Sequence, residues 1–424
     1  MIRAVRNYLV FLGRCARIAF AGDWRYYAWM GFLSVFCLLG LNAYARQFAH
    51  GLVVTGMSDE VSWGVYIANF TFLVGVAAAA VMMVIPVYVY NNEDLHDLVI
   101  FGELLAVAAI LMCLAFVTVD LGRPDRFWHL IPGLGQFNFP ASMLSWDVIV
   151  LNGYLLLNLH ICGYLLYSRY HGRKPARWFY IPFVFVAIVW AVSIHTVTAF
   201  LYVGLGGRPF WNSAIVGPRF LASAFTAGPA LIILALQIIR HVSNYRITDR
   251  ALLTLRSIVQ VSMLINVFLL ANEVFKEFYS GNLHVVSSKY LYVGLDGRHA
   301  LVPWIWTAIG FNLLAMVLLV LPVSRSLRWL NLTCVLCIIG IWIEKGMGLV
   351  IPGFIPTPLG EILEYRPSLN ETLVCFGIWA FGLLCYTVFL RMAVPILQGR
   401  LSKANEGAAG WRSPVASAEA VVES

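Results

Sequence analysis

Charge is scarce in this chain. Of its 424 residues only 12% are Asp, Glu, Lys or Arg, where a soluble domain carries about 25%. Hydrophobic residues make up 61%, against the usual ~45–50%. That imbalance excludes a soluble enzyme and a disordered chain, because neither could keep so much apolar surface in water. Clustered cysteine is missing too. The eight cysteines are scattered through apolar runs, which excludes a secreted disulfide scaffold and provides no cysteine set for an iron–sulfur cluster. Cys334 and Cys337 form one C-x-x-C, but no second pair or nearby His accompanies it, so two small hydrophobes compete with a metal or redox role. No P-loop or GxGxxG stands in a soluble setting. Facing histidines at matched depth are absent: His160 and His195 fall on opposite sides of the midplane of adjacent spans, which argues against a heme.

What is present is a series of long apolar runs, at about 28–48, 64–90, 98–119, 142–167, 178–203, 214–240, 252–273, 301–321, 329–351 and 372–394. A span needs ~20 mostly apolar residues, so each can cross a bilayer as a helix. Open sheet edges are excluded from lipid. The expectation is an all-α polytopic membrane protein of about ten transmembrane helices. Residues 1–27 read as a cytoplasmic amphipathic segment, with Arg3, Arg6, Arg14 and Arg17 on its polar face and no cleavable signal pattern. Residues 28–394 form the transmembrane domain. Residues 395–424 form a cytoplasmic tail rich in Ala, Ser and Glu, expected to be mobile.

The formal net charge is +8. In a soluble protein this would suggest nucleic acid, but the positive-inside rule explains it better and no nucleic-acid partner is expected. Ten spans put both termini on one side, which takes 19 of the 29 basic residues and is therefore cytoplasmic. The loops of the outer side (49–63, 120–141, 204–213, 274–300 and 352–371) are longer and rich in Gly, Pro and Trp, as befits a functional or docking face. Two of them share a short echo, YVGLGGR from Tyr202 and YVGLDGR from Tyr292, for which duplication and coincidence remain equal explanations.

Ionisable groups inside spans are costly and mark functional sites by default. Asp147, His195, Glu273, Glu344 and Lys345 fall in the outer third, and Asp120, Arg123 and His129 lie just beyond the third span. Scattered structural groups have no reason to share a depth. The competing reading, strongest for Glu344–Lys345 and also open for Asp120–Arg123, is that these pairs snorkel at helix ends. Toward the cytoplasm lie Glu103 and His160, which suit either a proton route or bonds to neighbouring helices. Arg256 is expected to snorkel. A carboxylate and a His near the membrane surface can exchange protons with the two carbonyl oxygens of a quinone while electrons arrive from outside.

Four blocks extend the reading: DLGRPDRFWH at 120–129, SWDVIVLNGY from Ser145, TAFLYVGLGGRPFWNSAIVGPRFLASAF from Thr198 and IPGFIPTPLGEILEYRPSLNET from Ile351. Together they resemble the NrfD/PsrC family of polysulfide-reductase-type membrane subunits, from about Trp24 to Arg400. The ten-span branch, which holds the HybB-type hydrogenase subunits and DsrP of the DsrMKJOP complex, is the nearer match. AGDWRYYAWM at 21–30 and WGVYIANFTFLVG from Trp63 look most like DsrP. The resemblance implies two four-helix bundles (spans two to five and six to nine) with the first and last spans flanking. It implies a quinone-interacting subunit of a respiratory or sulfur-metabolism complex in the cytoplasmic membrane of a bacterium or archaeon. It implies a non-covalent menaquinone or other quinone and no heme or iron–sulfur cluster in this chain. The implied partners are a periplasmic ferredoxin-like iron–sulfur subunit resembling DsrO, with heme-b and cytochrome c subunits of the DsrMKJ kind. By motif position it points to His129 and Asp147 for quinone and protons, then Glu273, His195 and Arg123. Glu103, His160, Glu344 and Lys345 stand on a possible proton path.

Two other classes compete. A secondary transporter would need midplane binding groups and discontinuous helices, and Gly-Pro breaks occur only in the sixth run, at Gly217–Pro218 and Gly228–Pro229. A structural anchor for redox subunits would need no quinone pocket at all.

Overall fold

The computed structural model describes residues 2–281 and 285–403, with side chains from residue 6 onward. Residues 404–424, most of the expected tail, lie outside the described residues. Ten described helices are long and apolar enough to cross a membrane. In chain order the helices are α1 (Ile2–Ala19), α2 (Trp24–His50), α3 (Val65–Tyr88), α4 (Val99–Asp120), α5 (Met143–Tyr170) and α6 (Arg177–Val203). Then follow α7 (Val216–Ser243), α8 (Asp249–Ser280), α9 (Val302–Val320), α10 (Leu327–Phe354) and α11 (Leu369–Leu397). No strand occurs among the described residues. The chain is a multi-pass, all-α membrane protein.

Local sequence sets the helix starts. Asp23 accepts from Tyr26 N and begins α2; Thr248 accepts from Ala251 N and begins α8. Ser368 and Glu371 form a capping box at the start of α11. The seventh run is longer than its hydropathy suggests. α8 continues through Lys276, Glu277 and Tyr279 to Ser280, so Glu273 lies about two turns inside the helix rather than at its end.

Helices α3–α6 pack as one four-helix bundle and α7–α10 as a second. The outer pair, α2 and α11, flank the first bundle. They pack on each other, and α11 lies against α4 of the first bundle. Glycine permits that contact: a Cβ at Gly377 would stand 2.7 Å from Gly40 Cα. Small residues also join the two bundles. Gly75 and Ala79 on α3 meet Ala224 and Gly228 on α7, so the backbones approach closely. α4 is apolar around its whole circumference and buried on most sides, as such a helix must be.

Both described ends lie on one face. α1 sits beneath α5 and α11, burying Phe11 and Cys15 against Tyr167 and Tyr170. Lys403 N donates to Tyr170 O. The opposite face carries the long loops and is closed by an aromatic plug. Trp211 is fully buried there, donating Nε1 to Leu349 O at 2.8 Å and packing on Trp63 and Phe354. Arg208 lies over the Phe354 ring at 4.7 Å. Gly353 has no room for a side chain because the Trp211 ring occupies it. The GRPFW and IPGF motifs thus meet as packing partners that tie the bundles together.

Replacing Gly377 with Leu should separate α2 from α11 and destabilise the protein by about 1–3 kcal/mol. A lowered thermal midpoint in detergent, with assembly of the remaining helices retained, is the expected result; an unchanged midpoint would show that this crossing is loose.

Candidate functional site

Two polar clusters lie toward the long-loop ends of the bundles, and they differ in kind. In the first bundle Asp147 follows the start of α5 by one turn and is 2% exposed. Its Oδ1 accepts from Thr198 Oγ1 of α6 at 3.1 Å. No ion pair reaches it among the described residues. Tyr202, one turn beyond Thr198, meets Thr71 of α3 through its hydroxyl and lies within electrostatic reach of both Asp147 and Asp120. Asp120 ends α4, and its Oδ1 is buried without a partner. Beside it, Tyr66 donates to Gln47 Oε1 at 2.7 Å, and Gln47 donates to Val119 O at 2.6 Å.

The PTPLGEILEYRP block ends at this cluster and holds it. Tyr365 donates to Glu371 Oε1 at 2.7 Å and accepts from Val65 N at 2.9 Å. Burial, and then the Glu371 carboxylate, push the Tyr365 phenol up, so it remains a donor. Glu371 Oε2 also takes the amides of Gly56 and Ser368. A cavity of about 300 Å³ opens alongside, lined by Tyr44, Gln47 and Phe48 of α2 and by Leu121, Arg123 and Asp125 of the loop after α4. Arg123 is bound bidentately to Asp125 at its mouth and holds that carboxyl below the usual range.

The second bundle has the opposite electrostatics. Arg219 of α7 pairs with Glu273 of α8 and with Glu344 of α10, the latter at 2.6 Å. Glu344 Oε2 also accepts from Asn266 of α8 at 3.1 Å and from Asn312 of α9 at 2.8 Å. All four helices therefore meet on one carboxylate. Lys345 is buried beside it, with its ammonium 4.0 Å from Glu344 Oε1 and 5.0 Å from the centre of the Phe220 ring. The backbone of α10 breaks at Gly346, which leaves Lys345 in the last turn of a helix segment, where a cation is favoured. Tyr292, from the second copy of the echo, lies near this cluster as Tyr202 lies in the first.

Glu344 and Lys345 are thus not snorkelling end-caps: they are 2% and 3% exposed, deep in a packed bundle. Arg256 does not snorkel either. Its guanidinium is buried and satisfied by Ser324, Gln260 and Leu319 O. Its donors fit the carbonyl end of α9, which removes any need to reach water.

The structure does not bring His129 to Asp147. His129 is exposed in the 3-10 segment Pro124–Leu130 and stacks on Trp128, with no hydrogen bond or ion pair to Asp147. Nor does His160 meet Glu103. His160 is half-buried against Phe179 and Phe183, whereas Glu103 is buried and accepts from Cys162 at 3.1 Å. His195 is 1% exposed and lies one turn from Thr198. Sequence reasoning missed Arg219, Thr198, Asn266, Asn312, Cys162 and Glu371. Arg219 alone carried a usable signal, a cation inside an apolar run.

These features define a class: a helical membrane protein with two bundles, each carrying a polar cluster at its long-loop end. Comparison with known proteins gives the family. The profile of NrfD (polysulphide reductase, NrfD) matches residues 53–356, and the chain belongs to that family. It is 24% identical to the Hdr-like menaquinol oxidoreductase integral membrane subunit of Archaeoglobus fulgidus, over 87% of this chain and 93% of the relative. It is 23% identical to a selenate reductase subunit of Mesobacillus selenatarsenatis, over 86% and 93%. A shorter match, 27% identical, joins it to the menaquinone reductase integral membrane subunit of Nitratidesulfovibrio vulgaris, over 31% of each protein.

Replacing Arg219 with Met should strand two buried carboxylates and cost about 3–5 kcal/mol. Thermal unfolding in detergent measures this, and adding Glu273→Gln and Glu344→Gln should recover most of the loss. If the single variant melts like the parent, Arg219 is not the counter-charge the geometry makes it.

Proposed function

We propose that the chain is the quinone-reactive membrane subunit of an electron-transfer complex. It exchanges electrons between menaquinone or menaquinol and an iron–sulfur protein seated on the long-loop face. One observation carries the reading: at the loop end of the first bundle the buried Asp147 and the half-buried Asp120, whose Oδ1 is enclosed, have no cation partner among the described residues. Structural carboxylates in such a place are neutralised, as Glu344 is by Arg219. A carboxyl without a counter-charge is suited to hold and release a proton.

The residues fit a quinone head group. The cavity beside Gln47 has the size of a small ligand pocket, apolar and aromatic walls, and donors at Gln47 and Arg123. Bound quinone supplies two-electron, two-proton chemistry. The chain supplies Asp147 to take or give a proton, Thr198 to fix the carboxyl, and Gln47 with Tyr66 to lead from the cavity wall toward Asp120. His129 stands apart with Phe127, Trp128 and Leu134 on an exposed loop, a surface suited to the partner. Glu103 with Cys162 is a second cation-free acid nearer the terminal face, consistent with a proton route if the complex conserves energy. The relatives, among them a menaquinol oxidoreductase subunit and a menaquinone reductase subunit, support the same reading.

Within the family, the opening AGDWRYYAWM and the WGVYIANFTFLVG block favour the DsrP type. The partner is then a periplasmic DsrO-like ferredoxin, alongside heme-b and cytochrome c subunits, with both termini cytoplasmic. A HybB-type hydrogenase subunit is the alternative. A transporter finds little support in α7, which runs unbroken through Pro229.

Asp147→Asn, in membranes carrying the assembled complex, should slow quinol-linked reduction of the partner cluster by about 10²–10⁴-fold without loss of assembly. Normal turnover in that variant excludes the proton role.

A further inference from the structure

α1 is not among the ten candidate spans. Its 18 residues run for about 27 Å. They meet the last turn of α5, where Tyr8 and Phe11 pack on Tyr167 and Arg14 donates to the Tyr170 hydroxyl at 2.9 Å. The far end is pinned to the start of α2 and to α11. Tyr27 donates to Phe20 O at 2.9 Å and Tyr26 donates to Ala19 O. Arg391 donates to Ala21 O, with its guanidinium 4.7 Å from the centre of the Tyr26 ring. The helix therefore runs along the terminal face and does not cross the bundle.

With about 3.6 residues per turn, α1 divides into three sides. Phe11, Cys15 and Ala19 are buried on the side against the protein. Leu9, Leu12 and Phe20 are exposed on a second side, which is apolar. Arg6 and Arg17 are exposed on the third, with Arg14 at its edge. No carboxylate occurs in the helix. A helix that only covered the bundle would show two sides, one apolar against the protein and one polar toward water. An exposed apolar side beside an exposed cationic one requires a third surrounding.

The neighbouring chain continues the pattern. Arg173, Lys174 and Arg177, in the turn after α5, are exposed. Other basic groups of this face are paired, Arg169 with Asp97 and Arg240 with Asp249. Arg6, Arg17, Arg173, Lys174 and Arg177 have no carboxylate partner among the described residues. Trp24 and Trp178, at the starts of α2 and α6, are exposed, and Trp at span ends marks the boundary between membrane and water. α1 joins α2 beside Trp24 and so lies at that level. There its apolar side meets acyl chains and its basic side meets phosphates.

We propose that α1 is a docking surface for anionic phospholipid in the leaflet at the terminal face. Leu9, Leu12 and Phe20 enter the acyl region. Arg6 and Arg17, with the adjoining basic turn, hold the headgroup phosphates. Charge selects the lipid: phosphatidylglycerol carries a net negative charge, whereas phosphatidylcholine brings its own cation and gains less. The inference does not depend on the quinone reading.

The test is photo-crosslinking of the full chain in nanodiscs of phosphatidylglycerol and phosphatidylcholine in equal parts. Leu12→benzoylphenylalanine puts the probe on the apolar side of α1, and Leu314→benzoylphenylalanine, at an exposed position of α9, is the control. Mass spectrometry identifies what is captured. The expected capture at Leu12 is lipid with phosphatidylglycerol in several-fold excess, against the mixing ratio at Leu314. The excess should fall toward the mixing ratio when Arg6→Gln and Arg17→Gln are added, and at about 1 M salt, where the screening length is about 3 Å. Both arginines are exposed, so their replacement leaves the packed side of α1 intact. Equal capture of the two lipids at Leu12, an equal excess at Leu314, or an excess untouched by the arginine substitutions overturns the proposal. Capture of protein in place of lipid, from a second copy or from this chain, overturns it as well.

Discussion

A buried charge in a membrane has no water to fall back on, and in this protein the guanidinium of Arg219 answers that constraint for the whole second bundle. It neutralises Glu273 and Glu344 together, while Asn266 and Asn312 fill the remaining lone pairs of Glu344. Four helices converge on the Glu344 carboxylate that it neutralises, so their relative rotation is set there. Apolar packing against lipid-like neighbours could not do so, because lipid tails are as apolar as the side chains they would replace.

The first bundle inverts that solution. Asp147, Asp120 and Glu103 are held by hydroxyls, a thiol or nothing, and no cation accompanies them among the described residues. The fold tolerates these groups because the surrounding scaffold is over-determined. Small residues lock α3 to α7, and the Trp211 plug closes the loop face. Tyr365 and Glu371 pin the backbone at Gly56, Val65 and Ser368. One bundle's acids are therefore neutralised, and those of the other have no counter-charge among the described residues. This difference is the physical basis of the proposal that places quinone chemistry in the first.

Much of this was legible in the chain itself. Apolar runs of span length determined ten helices and their order, because hydrocarbon permits nothing else at that composition. The depth of Asp147, Glu273 and Glu344 followed from counting residues along a helix of fixed rise. Their shared level was therefore visible, and the echo at Tyr202 and Tyr292 marked two loop regions that both reach polar clusters.

Partnership was not legible. Depth is a one-dimensional quantity, and it cannot say which helix faces which. The sequence placed His129 and Asp147 in neighbouring motifs, yet one is exposed and the other buried, because the loop after α4 turns outward while α5 turns Asp147 inward. For Glu344 and Lys345 an end-cap reading stood beside the functional one, and the break at Gly346 inside the packed bundle removes it. What composition and helical rise determined was the number, order and polar depth of the spans. Rotation about each helix axis decided which acids are neutralised and which remain free, since a side chain's neighbours across a bundle come from residues 32 to 125 positions away.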